Sequence, residues 1–518
     1  MKRFLFFSLM ILGIFIIAGC GNDDENGGSS GEEGSSGGEL NIAINAQPPT
    51  LDPQISTATA TRDTARLMFE SLMVLNADFE PVPFLAEDVE TEDNQHFTFT
   101  LREGVTFHNG DEMKAEDVVA SMNRWKELSN KGKEIIGDSE FVEVDEYTVE
   151  IELSDPSPLF LTVIATPGQF PAIMPKDINE EAGPDGVTEY VGTGPFEFED
   201  WQQDNYIHFT KFDDYAIVDE EMDGLAGKKE ALVDDVYFYI APDASTRQAG
   251  IQSGEYDIAY QLPFDSYQQL LSTDLQVSPA LAGNMVLQYN SIEGLMADEK
   301  MRQAINAALN IDEILQASLV DEEIYASDAS LMELDNVAWA TDAGEEYYNQ
   351  NDPDRAKELL EEAGYDGEVI KLVSTRDYQH YYDSSVVIKE QLEGIGMEVE
   401  LEVYDWPTLT DLVKENDKWH MRVNGFTFSA GPTQILYLDS NYAGMGEDER
   451  LSESMKMIEN AETEDEAKAE WEDLQEYIWS ELLPVTKLGS YSHLYVLGEN
   501  VDGFVYSHGG QFWNVSVD

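Results

Sequence analysis

Groups able to make or break bonds are plentiful in this chain, yet their spacing matches none of the common catalytic or metal-binding arrangements. The seven histidines (His96, His108, His208, His380, His420, His493 and His508) show no HExxH or other helical metal-ligand spacing. With a single cysteine, Cys20, a thiolate zinc site cannot be built. No GxSxG elbow, GxxxxGK[ST] loop or strand-borne GxGxxG occurs. Gly192-Thr193-Gly194-Pro195 is glycine-rich but ends in proline and enters a strand, which removes a backbone donor where a phosphate cradle needs one. It reads as a chain reversal. Paired acids carry almost no information among 104 Asp and Glu residues, and no EF-hand loop pattern is present. Neither catalysis nor a resident cofactor or metal is expected.

The cysteine has a different setting. Lys2 and Arg3 precede an apolar run, Phe4 to Gly19, which is shorter than the roughly 20 residues a membrane-spanning helix needs. A positive n-region, a short apolar h-region and the small residues Ala18 and Gly19 read as a secretory signal over residues 1–19. Ile17-Ala18-Gly19-Cys20 resembles a bacterial lipobox, which implies diacylglycerol on the Cys20 thiol. A plain signal peptide beside a free cysteine is the alternative. Two acyl chains suffice for stable attachment where one is marginal. Residues 20–38 then form a tether: Gly21–Gly38 holds no aliphatic or aromatic residue, cannot collapse onto a core, and as a coil spans roughly 20–25 Å. The expected location is the outer face of the cytoplasmic membrane.

About 480 residues follow the tether, more than one core usually serves, so two or three domains are expected. One cysteine excludes disulfides. The formal net charge of −75 makes nucleic acid and anionic lipid improbable partners. An aromatic fraction of 11% argues against disorder. Self-repulsion of this size needs screening, and the Debye length falls from roughly 10 Å at 0.1 M salt to 3 Å at 1 M. Adaptation to a saline or alkaline medium is the expectation, with an acidic surface for a cationic ligand as the alternative.

Strand and helix signals alternate along the chain. Leu40, Ile42 and Ile44 mark a half-buried strand, Thr61–Met73 a helix, and His96–Leu101 a strand with Phe97, Phe99 and Leu101 on one face. Ala115–Leu128 carries Val118, Val119, Met122 and Trp125 at helical spacing. Strands are expected at Tyr147–Leu153, Tyr206–Phe212, Val236–Ile240, Tyr256–Leu262, Ile370–Ser374, Met397–Tyr404 and Met421–Phe428. Asp352-Pro353 caps and starts a helix that Gly364 stops. One long acidic helix is expected over Ser452–Leu482, then two strands, Val485–Leu488 and His493–Leu497. The pattern is α/β without internal repeats.

Pro48-Pro49-Thr50-Leu51-Asp52-Pro53, the stretch Phe97–Val118 (FTFTLREGVTFHNGDEMKAEDV), Gly192–Tyr215, Gln252–Ile258, Met301–Asn306 and Asp352–Tyr365 occur in an order that resembles the family 5 solute-binding proteins of bacterial ABC importers. The resemblance covers nearly all of Glu39–Asp518. It implies a three-domain, periplasmic-binding-protein-like type II fold, two lobes joined by a two-crossing hinge with a ligand cleft between them. Domain I would comprise 39–72, 189–281 and 485–518. Domain II (73–188) has no established ligand role, and domain III is 282–484. The hinge is expected around Ala280–Gln288 and Leu482–Lys487. The implied function is capture of a small solute, a peptide or peptide-like compound foremost, by a monomer that delivers it to importer permease subunits. A metal chelate or glycoside in the same role, or a secreted hydrolase, is the alternative.

In peptide-binding members the strand matching Gly425-Phe426-Thr427-Phe428-Ser429 ends in an aspartate that pairs with the ligand amine. Here the position is Ser429, and a neutral hydroxyl supplies no charge-assisted bond. The resemblance points to Phe426, Thr427, Phe428 and Ser429, to Arg376 after a cleft strand, to Trp406, and to Lys487 at the second crossing. Tyr260 and Asn290 fall near cleft edges, and Thr57, with Thr59, lies on the loop after the opening motif. Each has a plainer reading: core packing for Phe426, Phe428 and Tyr260, a helix staple for Trp406, local charge neutralisation for Arg376 and Lys487, solvated loop for Thr57.

Overall fold

The computed structural model describes residues 37–427 and 429–518. The expected signal segment, Cys20, nearly all of the tether and Phe428 lie outside the described residues.

The organising element is a ribbon of two long antiparallel strands. The first strand, β1 (Glu39–Ile44), buries Leu40, Ile42 and Ile44 as its alternation predicts. It is followed by α1 (Thr59–Ala65), shorter than the expected Thr61–Met73: the chain turns at Arg66–Met68, where the Leu67 and Met68 amides donate to the Thr64 and Ala65 carbonyls, and Met73 belongs to a strand, Met73–Leu75. Farther along come β2 (Ile258–Leu262), β3 (Gln276–Tyr289), β4 (Met421–Phe426) and β5 (Val485–Leu497). β3 and β5 pair along their whole lengths, from Gln276↔Leu497 to Gln288↔Val485. The two final strands expected from sequence are therefore one. Gly489–Ser492 reads as a break, but a partner of matching length keeps it paired.

This ribbon joins two half-sheets. Beyond β5 lie β2, β1, Asp235–Ile240, Tyr206–Lys211 and Phe196–Gln202; beyond β3 lie β4, Val369–Thr375 and Glu398–Tyr404. β2 pairs with β5 only over Leu494–Leu497, and β4 pairs with β3 only over Asn284–Tyr289. The outer partner thus changes sides at Ala280–Gly283 on β3, opposite Tyr491–His493 on β5. The second crossing falls there rather than at Leu482–Lys487, because Val485–Lys487 faces Gln288–Val286, well inside the β4 half. The ladder is bulged at Leu281/Gly283 and Met285/Val286. Bulges sharpen local bending and twist.

Separate apolar clusters form on the pieces. One gathers Leu40, Ile42, Phe209 and Phe238, and another Phe97, Phe99, Val118 and Trp125. A third holds Leu287, Ile305, Ile314, Ile370 and Ile388, and a fourth Val286, Phe426, Trp471 and Trp479. The third also takes in Ile251, Ala259 and Leu262 and so runs across the ribbon. The expected helix Ser452–Leu482 is divided: Glu449–Glu459 ends at Asn460, and Thr463 caps a new helix, Glu464–Tyr477, by accepting from the Glu466 amide. Asp352, Pro353 and Gly364 occupy the cap, first-turn and left-handed stop positions predicted for them.

The opening motif has a structural role. Asp52, fully buried, accepts from Arg124 Nη2 at 2.5 Å, from the Gln54 amide at 3.0 Å and from the Val187 amide at 3.0 Å. One carboxylate thereby ties the first segment to Ala115–Leu128 and to the chain near residue 187.

Candidate functional site

A cavity of about 450 Å³ opens where the ribbon changes partners. Such a volume is in the range that encloses small ligands. From the β1 half it is lined by Asn45, Thr59, Arg62, Asp63 and Tyr260; from the β4 half by Glu333, Asp335, Tyr381, Trp406, Asn424, Gly425 and Thr427. The floor is the ribbon itself: Leu281, Ala282, Gly283, Tyr491 and His493.

Glycine is needed at two of these points. Gly283 has φ 144°, and a Cβ there would lie 1.9 Å from the Phe426 carbonyl oxygen. At Gly425 a Cβ would lie 2.2 Å from the Tyr381 hydroxyl and 2.6 Å from that of Tyr491, so two phenols reach the wall only because the position is bare.

The electrostatics are uneven. Arg62 Nε donates to Asp63 Oδ1 at 2.6 Å. Burial works against the guanidinium charge, but Asp63, with smaller contributions from Tyr506 and Tyr495, more than offsets it, and the pKa is raised. Asp63 Oδ2 also accepts, at 3.4 Å, from the Tyr260 hydroxyl. Arg66, one turn on, is lowered to about 9 by burial and by Arg62. Burial first, then Arg62, lowers His493 to about 4, so its ring is neutral at physiological pH.

On the opposite wall, Glu333 belongs to a loop pinned by Asn284 Nδ2 on the Leu331 carbonyl and by Asn336 Nδ2 on the Ser429 and Ala430 carbonyls. It is only 3% exposed and accepts from the Ser429 amide at 3.4 Å. Burial raises its carboxyl to about 7. The folded protein therefore holds a proton that the unfolded chain releases near the ordinary glutamate value. Stability on this account is full below about 4.5 and is lost as pH rises towards 7. Lys487, Asp328, Lys131 and Tyr437 are the charged and titratable neighbours. E333Q is expected to flatten the fall in melting temperature between pH 5 and 7; an unchanged slope would mean that Glu333 is not its source.

Of the residues singled out in the sequence, Tyr260, Trp406 and Thr427 line the cavity, as does Thr59. The other described ones are elsewhere. Asn290 is fully buried, its amide donating to the Asn416 and Trp419 carbonyls. Lys487 is fully buried, its ammonium 2.5 Å from Asp328 Oδ1 and 2.5 Å from the Ser330 carbonyl, so a protein acid already takes up the charge suggested for a ligand. Phe426 packs on Tyr437 and Tyr442 because its strand position faces the fourth cluster. Ser429 Oγ donates to the Gln434 carbonyl at 3.3 Å. Arg376 stacks on Tyr382, 4.2 Å from the ring centre. Thr57 is an exposed loop residue outside the cavity lining.

Sequence reasoning missed Arg62, Asp63, Glu333, Tyr381 and Tyr491. A signal existed for one: Arg62 and Arg66 are the only Lys or Arg residues between Arg3 and Arg102. Glu333 had none, being one acid among many. Among the described residues no group of three or more His, Cys, Asp or Glu is placed to hold a metal ion.

A cavity at the seam of two half-sheets, walled by both and floored by their linking strands, defines a cleft-type solute binder. The profile of the bacterial extracellular solute-binding proteins, family 5 (middle region), matches residues 80–445, and the chain belongs to that family. It is 26% identical over 557 residues to the oligopeptide-binding protein OppA of Bacillus subtilis, covering 99% of this chain and 98% of that one. Among solved structures, the ABC transporter substrate-binding protein CtaP of Listeria monocytogenes superposes with a TM-score of 0.81 at 21% identity, over 90% of this chain and 95% of its own. The oligopeptide-binding protein AppA of B. subtilis, in complex with a nonapeptide, gives 0.74 at 22% identity, over 94% and 100%. The fold is thus that of these binding proteins.

Proposed function

We propose that this protein captures a peptide or peptide-like solute outside the cell and hands it to the permease subunits of an ABC importer, without chemical change to the solute. The observation that carries this reading is a cavity contacted by both half-sheets and by the ribbon between them. A ligand that touches both halves stabilises their closed arrangement in proportion to its preference for that state. The bulged segments around Ala280–Gly283 and Tyr491–His493 are the natural places for bending. OppA, to which the chain is similar over its length, is an oligopeptide binder by name.

The protein acts as a monomer tethered through lipidated Cys20, whose linker leaves the body free to meet a membrane partner. Its acidity suits a saline medium. The melting temperature is expected to rise between 0.1 and 2 M NaCl; a flat or falling curve would end the saline reading.

The functional test is native mass spectrometry of protein purified from its host, followed by small-angle scattering with tri- to pentapeptide pools. A co-purifying peptide and a smaller radius of gyration on addition of the pool are expected, as is transfer of Cys20→Ser from the detergent phase to the aqueous phase. If only a metal chelate or a glycoside contracts the protein, the solute class is wrong. Turnover of any solute would remove the transport reading altogether.

A further inference from the structure

Two charged side chains in the cavity wall, one from each half, retain hydrogen-bonding capacity that no other described residue uses. Arg62 is gripped at Nε by Asp63, and Gly509 closes over the pair: a Cβ there would lie 2.8 Å from Arg62 Nε and 2.6 Å from Asp63 Oδ1. Among the described residues nothing accepts from the two terminal amino groups of Arg62, which faces the cavity. A guanidinium held in this way presents a planar fork that matches a carboxylate.

Glu333 is the counterpart. Besides its own backbone, the sole donor to it among the described residues is the Ser429 amide, at a distance long for such a bond. A carboxylate that is buried and lightly bonded is costly unless a donor or cation completes it. Its cationic neighbours are already committed. Lys487 is taken by Asp328 and the Ser330 carbonyl, and Lys131 Nζ donates to Gln434 Oε1 at 2.8 Å.

We infer that the ligand is bound as a zwitterion by both ends, its carboxylate on Arg62 of the β1 half and its ammonium on Glu333 of the β4 half. This rests on the peptide-transport reading and adds the polarity of the ligand and the two residues that recognise it. Because the anchors belong to different halves, a ligand bearing both charges bridges the cleft. Blocking either charge leaves one half without its strongest contact to the ligand.

The test compares three forms of one randomised tri- to pentapeptide pool: free, N-acetylated and C-amidated. Each is titrated into the wild-type protein by calorimetry. The free pool is expected to bind at least about 30-fold more tightly than either blocked pool, since losing one partner of a buried charge pair costs 2 kcal/mol or more. E333Q should erase the preference for free over acetylated peptide while keeping that for acid over amide. Arg62→Lys keeps a charge beside Asp63 but loses the fork, and should erase the second preference and keep the first. Blocked pools binding within threefold of the free pool would overturn the proposal, and this arm does not depend on either variant folding. Variants that fold and retain both preferences would overturn the two assignments while leaving peptide transport standing. If no pool binds and another solute does, the transport-of-peptides reading falls first and the proposal with it.

Discussion

Gly283→Val is expected to destabilise the protein by at least about 3 kcal/mol and to abolish the ligand-induced contraction. The position combines two independent costs. Its φ of 144° is a conformation side chains rarely adopt, and strain of that kind costs about 1–3 kcal/mol. The added Cβ would also lie 1.9 Å from the Phe426 carbonyl oxygen, which is backbone of a paired strand and cannot swing aside. Overpacking adds about 1–3 kcal/mol more. The bulge at Leu281/Gly283 must open to relieve the clash, and that is where the half-sheets meet. Gly254→Ala is the control. Gly254 ends a helix at φ 73° with nothing within 4 Å of its Cβ position, so strain acts there alone and about 1 kcal/mol is expected. Urea midpoints for the two variants should differ accordingly. Equal losses would show that the clash at Gly283 is absorbed and that the bulge is not a tight constraint.

The second large effect concerns the buried ion pair of Lys487 and Asp328. Asp328→Ala is expected to cost about 3–5 kcal/mol, because it strands the ammonium of Lys487 in the interior. Ser490 Oγ, 3.0 Å from both Asp328 Oδ2 and Asn284 Oδ1 and able to donate its one proton to either, links the pair to the bulged ribbon. Burial already lowers the Lys487 pKa, with Asp328 opposing it. Without Asp328 the lysine sits further below its unfolded value, so the variant should regain stability as pH rises and the ammonium gives up its proton. The double variant Asp328→Ala/Lys487→Met removes both charges and should recover most of the loss, as apolar replacements of buried pairs commonly do. A double variant as unstable as the single one would show that the polar network, not an unpaired charge, is what matters.

These two sites also mark how far residues can be interpreted before they are folded together. Gly283 is an unremarkable glycine in a strand until Phe426, more than a hundred residues away, is placed against it. Lys487 reads from sequence either as an anchor for a ligand carboxylate or as a neutraliser of local acids; the structure shows the second, with Asp328, a partner that could not be chosen among so many acids. Asn290 is similar: a lone buried amide that finds its carbonyls at Asn416 and Trp419.

Local signals were strong where local physics decides. Alternation in β1, the apolar stripe of Ala115–Leu128 and the Asp352-Pro353…Gly364 caps each depend on neighbours within a turn or a strand, and each forms as its residues dictate. The order of motifs was enough to define the family, since they lie along one continuous chain. Tertiary structure alone decided that Val485–Leu497 is one strand, that the second crossing lies at Tyr491–His493, and that Arg62 and Glu333 share a cavity. The reason is range: pairing register, burial of a charge and the walls of a cleft are set by contacts between segments hundreds of residues apart, and no short stretch of residues encodes its distant partner.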